Sequence, residues 1–194
     1  DLKVLHHVIT YLSSPADRTA GAGNDDGALG DSIGGFAPGR QPDIWRDDSG
    51  ALIRAGSSLL LQMHYTTTGK ATTDETKIGI YLHDKPPKYM MSGGSAGQRR
   101  FLIPPNAKEY ALEGVQEIER DALLYSLMPH MHYRGKHMKY IAEYPDGSSE
   151  VLLSVPKYDF NWQLNYQLEE PVLLPAGTRL IAQGAMDNSD RNPY

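Results

Sequence analysis

The chain has 194 residues, a formal charge of −5 at pH 7, 40% hydrophobic and 22% charged residues. These are globular values that argue against wholesale disorder, and the negative sign leaves no basic field to hold a nucleic-acid backbone. The absence of cysteine excludes disulfides, zinc–thiolate sites, iron–sulfur clusters and thiol nucleophiles within this chain, and no apolar run approaches the ~20 residues of a helical membrane span.

Short alternating segments dominate over long amphipathic ones. Val4–Tyr11 is the first predicted strand. The segment Ser13–Pro42, rich in Gly, Ala, Asp and Ser, is expected to be a functional or mobile loop, because it is long for a structureless connection. Ala51–Thr66 is a strand centred on Leu59-Leu60-Leu61-Gln62-Met63-His64-Tyr65. Lys77–His83 alternates, with Ile78, Ile80 and Leu82 on one face. Ser92-Gly93-Gly94-Ser95-Ala96-Gly97 reads as a flexible stretch and as the boundary between a domain over 1–97 and a second over 98–194. Ala122–Met128, Lys139–Tyr144, Glu150–Val155 and Arg179–Gln183 are further strands. Pro145-Asp146-Gly147 supplies a hairpin turn, and Leu174-Pro175-Ala176-Gly177-Thr178 a second turn. The expected class is all-β, a sandwich or barrel. The chain opens at Asp1 without methionine and ends without a closing element, so it is expected to be a piece of a longer protein with flanking domains.

Five of the seven histidines fall into close-set groups. His6 and His7 are adjacent on a strand, where neighbours point to opposite faces. Both reach one metal only if the strand twists or bulges, or if they use different ring nitrogens. His64 lies in a strand that can return across the same sheet, and three imidazoles suit copper or zinc. His130-Met131-His132 places two imidazoles at i and i+2, on one face of a strand. An ordinary pair of histidines on a half-exposed β-surface is an equal alternative for that motif alone. His83 reads as a turn residue and His137 as part of a basic stretch, neither of them a ligand.

Taken in order, Leu5-His6-His7-Val8, Leu61-Gln62-Met63-His64-Tyr65 and Pro129-His130-Met131-His132-Tyr133-Arg134-Gly135 resemble the copper type II, ascorbate-dependent monooxygenases, the family of dopamine β-hydroxylase and peptidylglycine α-hydroxylating monooxygenase. Tyr158-Asp159-Phe160-Asn161-Trp162-Gln163 and Met186-Asp187-Asn188-Ser189 resemble two further segments of that family. The lack of cysteine is similar to bacterial members.

The resemblance implies two antiparallel, jelly-roll-like β-sandwich domains, both incomplete here, each holding one copper. It implies that His6, His7 and His64 bind an electron-donating copper and that His130 and His132 bind the catalytic one. It also implies a methionine ligand, expected beyond Tyr194, since Met186 lies too close to the Asp-Asn-Ser segment and reads as a core residue. Gln62 is similar to a family glutamine and is expected to order water or carry the electron path, the alternative being a cross-strand hydrogen bond. The implied reaction hydroxylates a substrate C–H bond with O₂ and two electrons from ascorbate or a similar reductant. A periplasmic or secreted location follows from the same resemblance. Leu127-Met128-Pro129 stands where peptide-amidating relatives carry an arginine, which disfavours a glycine-extended peptide and suggests a small apolar or aromatic substrate. Two other readings compete: a non-catalytic copper- or zinc-binding β-sandwich module, and a zinc hydrolase using His130 and His132 with Asp159 or Glu143.

Overall fold

The computed structural model describes residues 3–13, 31–37, 42, 44–98 and 100–192. Among these, the regular elements are all strands: β1 Leu5–Ser13, β2 Asp31–Phe36, β3 Ser49–Gly50, β4 Ser58–Tyr65, β5 Tyr89–Met90, β6 Tyr110–Glu117, β7 Ala122–Leu127, β8 Gly135–Glu143, β9 Ser149–Val155, β10 Tyr166–Leu174 and β11 Arg179–Met186. The fold is all-β, and the chain divides into two compact units, Asp1–Gly93 and Gly94–Tyr194.

In the first unit β1 is the central strand of an antiparallel sheet ordered β2-β1-β4. Leu5, Val8 and Thr10 are its buried residues, and Val4, just before it, is buried as well. A short parallel pair, β3 with β5, completes the unit. Two expectations are corrected here. The segment expected to be a loop contains β2, because Gly35 lets two backbones meet. A Cβ on that residue would sit 2.4 Å from the Val8 carbonyl oxygen, an approach open to glycine alone. Residues 14–30 and 38–41 of that segment lie outside the described residues. Lys77–His83 is not a strand despite its alternation: no neighbouring strand among the described residues gives it a ladder, and Ile78, Ile80, Tyr81 and Leu82 stay exposed.

The second unit is built on a four-stranded antiparallel sheet, β6-β11-β8-β9, with β10-β7 as a separate pair. Leu124 and Leu127 of β7 pack on Tyr140 of β8, Leu180 and Ala182 of β11, and Leu152 and Leu153 of β9. That contact makes the two layers of a sandwich. At the β8–β9 hairpin Gly147 takes φ 85°, and the Asp146 carboxylate accepts hydrogen bonds from the Ser148 amide at 2.9 Å and hydroxyl at 2.6 Å. Those bonds hold its pKa below the usual carboxylate range.

β6 and β10 were not expected. On β6 the inward positions are Tyr110, Leu112, Gly114 and Gln116, so a glycine and a glutamine interrupt the apolar alternation. β10 carries Glu169-Glu170-Pro171, and its pairing with β7 breaks between Gln167 and Val172, as expected where proline removes a donor. The Gly-rich stretch before β6 is likewise no loose tether throughout. A Cβ on Gly114 would meet the Gly97 backbone at 2.4–2.5 Å, and the Gln98 side chain accepts from the Glu113 amide at 3.3 Å.

A second cluster of buried residues, Met131, Tyr158 and Met186, gathers Phe101, Ile103, Tyr110, Leu112, Met138, Val155 and Phe160. It lies under the β7–β8 connection, which carries His130 and His132.

Candidate metal centres

In the first unit Leu5 pairs with Tyr65 and His7 with His64, so His6 is the extra residue of a β-bulge. Adjacent histidines need this irregularity to gather on one side. The Nδ1 atoms of His6 and His7 lie 2.8 Å apart, one ring donating and the other accepting. His7 stacks on its cross-strand partner His64, with ring centroids 4.0 Å apart and planes at 22°. Burial lowers the pKa of His7, and His64 and His6 lower it further, so this ring is held neutral, the form that binds metal. Gln62 shares the face of His64 by the period of two, and its Oε1 accepts from the Tyr11 hydroxyl at 3.4 Å, a cross-strand contact.

In the second unit His130-Met131-His132 does not lie in a strand; it lies in the connection between β7 and β8. Its residues nevertheless alternate, Pro129 and Met131 buried, His130 and His132 exposed. The reason is a side chain that stands in for a neighbouring strand. The Tyr158 hydroxyl donates to the Met131 carbonyl at 2.7 Å and accepts from the Met131 amide at 3.0 Å, the exchange a paired strand residue provides. The two imidazole centroids are 5.1 Å apart with planes at 84°.

The segment 158–163 meets this connection at further points. Phe160 packs against Tyr133 with centroids 4.2 Å apart. Gln163 donates its amide to the Phe160 carbonyl at 2.7 Å, which turns its Oε1 toward His130 Nδ1 at 2.6 Å. His130 must therefore donate from Nδ1, leaving Nε2 as the free lone pair. Crowding of this ring by protein atoms lowers its pKa and His132 lowers it further, against the Gln163 bond, which raises it. Upstream, the Tyr140 hydroxyl, pushed up to about 12 by burial and so protonated, donates to the Met128 carbonyl at 3.0 Å.

Other candidates are engaged elsewhere. His83 Nε2 lies 2.8 Å from the Ser49 carbonyl, and His137 Nε2 lies 2.8 Å from Glu109 Oε1. Met186 is buried in the core. Glu143 pairs with Arg179, and Asp159 accepts from the Asn161 amide at 2.8 Å within its own turn.

Among the described residues no three His, Asp or Glu side chains are arranged to hold a metal ion as they stand. In the first cluster the rings of His7 and His64 are stacked; rotation about χ2, broad for histidine, re-aims ring nitrogens without moving the strands. In the second, two imidazoles are all the connection supplies. The donor chemistry fits copper: neutral imidazoles serve both of its common oxidation states, and Gln163 fixes one ring in the tautomer a metal needs.

The model for the C-terminal domain of copper type II, ascorbate-dependent monooxygenases matches residues 90–194, more than half of the chain. The chain belongs to this family. Comparison with curated proteins gives no match. The second unit thus carries the C-terminal domain of this family, and its His-Met-His connection and 158–163 segment both fall in the matched region. Gln163 lies in the family-like segment 158–163, but its contact with His130 is not legible in the sequence; the signal there is an amide three residues after Phe160, whose carbonyl it bonds. Replacing Gln163 with leucine removes the acceptor that sets the His130 tautomer. Copper affinity at His130 and His132 is expected to fall about 10- to 100-fold with an unchanged β-type circular dichroism spectrum, as read by titration against a competing chelator.

Proposed function

We propose that this chain is the core of a copper-dependent monooxygenase that hydroxylates a substrate C–H bond with O₂ and two electrons from ascorbate or a similar reductant. The observation that carries the reading is the His130–His132 pair, exposed side by side within the family-matched unit and with the His130 tautomer fixed by Gln163. In this reading His6, His7 and His64 hold one copper, and His130 and His132 hold the other. When bound, copper supplies one-electron storage at the first centre and dioxygen activation at the second.

The protein's own residues supply position. The bulge at His6 gathers three imidazoles on paired strands, and Gln62, bonded to Tyr11, flanks them on the same face. Gln163 keeps the His130 proton on Nδ1. Met128 and Tyr133, within two residues of the pair, and Trp162, next to Gln163, expose apolar and aromatic surface, which favours a small apolar or aromatic substrate.

The test is copper loading of the full-length protein followed by metal analysis, electron spin resonance and oxygen uptake. Two type II copper signals per chain, and uptake that requires both ascorbate and an aromatic or alkyl substrate, are expected. Bound copper without uptake on any C–H substrate replaces this reading with a metal-binding module, and no bound copper overturns both.

A further inference from the structure

We infer that Tyr158 is the positioning residue of the second centre: its hydroxyl, bonded to both backbone groups of Met131, holds His130 and His132 in the alternation that presents them as a pair. The inference rests on the reading that these two histidines bind copper, and goes beyond it by naming what makes them a site. A connection between strands has no ladder of its own. Met131 is buried, so its amide and carbonyl require partners. One phenolic oxygen serves both, at 3.0 and 2.7 Å. Because Met131 is the middle residue, fixing its peptide groups fixes the direction in which both neighbours leave the backbone.

The position of the tyrosine ring is itself determined. The Tyr158 amide donates to the Lys136 carbonyl at 2.9 Å, tying the segment to the start of β8. The ring lies over Gly135, where a Cβ would stand 2.6 Å from its Cδ1 and 2.8 Å from the Met131 Cβ. Glycine at 135 is therefore the space into which the anchor fits, and the Gly135 amide in turn donates to the His132 carbonyl at 2.7 Å. Tyr158, Gly135 and Met131 form one packed unit with a histidine on either side.

The experiment uses the whole chain and Tyr158→Phe, which keeps the ring and deletes the hydroxyl. Copper(II) is titrated against a competing chelator, and electron spin resonance is recorded in parallel. The expected result is a selective loss: affinity at the second centre falls about 10- to 100-fold and its signal broadens, while the signal from the first centre is unchanged. Leu152→Ala, in the other core cluster, lowers stability generally and is expected to leave both signals as they are. Gly135→Ala, which displaces the ring with its hydroxyl intact, is expected to reproduce the selective loss and serves if Tyr158→Phe fails to fold. Wild-type affinity and spectrum at the second centre in a folded Tyr158→Phe, or in Gly135→Ala where that variant alone folds, overturn the inference alone. A wild-type chain that takes up no copper at His130 and His132 overturns the reading beneath it, and the inference with it.

Discussion

His132→Ala is expected to yield a folded chain that binds one copper in place of two and has lost hydroxylation. His132 is exposed, so its replacement falls in the class of surface substitutions worth within about 0.5 kcal/mol of stability. Its removal leaves His130 as a lone imidazole on the connection, and the two carboxylates considered as further ligands are engaged elsewhere, Glu143 with Arg179 and Asp159 with the Asn161 amide. Loss of a ligand must exceed the effect of losing its orienting partner, so oxygen uptake should fall by more than about 100-fold. The double variant His130→Ala with His132→Ala should be no worse than either single change, because groups that act as one unit do not add. His7→Ala is expected to remove the other copper and leave the signal of the His130–His132 centre intact. Two coppers per chain in His132→Ala would show that this histidine is not a ligand.

Much of this was legible in the sequence because strand physics is local. Alternation gave β1, β7, β8, β9 and β11 to within a few residues, while the strand expected over Ala51–Thr66 begins only at Ser58, since residues 51–57 pair with no neighbour in a ladder among the described residues. The bulge in the pairing of β1 with β4 is one of the three routes that the adjacency of His6 and His7 left open. What could not be read were features that depend on partners remote in sequence. Lys77–His83 alternates as a strand does, but alternation states only which faces exist, and a ladder needs a neighbour. β2 lies in a segment whose glycines read as a loop, and in β6 a glycine and a glutamine interrupt the alternation; Gly35 and Gly114 serve close approach between backbones. The His-Met-His motif was placed on a strand, which gives the right side-chain alternation for the wrong reason: a tyrosine hydroxyl, 27 residues away, completes the backbone hydrogen bonds that a strand would have made.

The largest stability effect expected is at Gly114. This residue occupies an inward position on β6, paired with Ala182 of β11, and an added Cβ would lie 2.4–2.5 Å from the N, Cα and C atoms of Gly97. A flexible side-chain end moves aside from such a contact; a backbone moves only with the segment that contains it. That segment is held from both sides, by Ala96 against the core of β7, β8 and β11 and by Gln98 on the Glu113 amide. Gly114→Ala must therefore push residues 96–98 off the sheet or distort β6, at a cost of about 2–3 kcal/mol by analogy with overpacked cores. For a unit of this size that lowers the melting temperature by roughly 10–20 °C. Gly93→Ala is the matched comparison: nothing stands within 4 Å of its added Cβ, so the loss of unfolded-chain freedom should leave it neutral or more stable by up to about 1 kcal/mol. Thermal melts of the two variants followed by circular dichroism separate the cases. If Gly114→Ala melts with the wild type, the glycine-rich stretch is a loose tether rather than a part of the sandwich. If it melts early, the same backbone contact supports the unit that carries His130 and His132, and copper at that centre should be lost on heating before copper at His7 and His64.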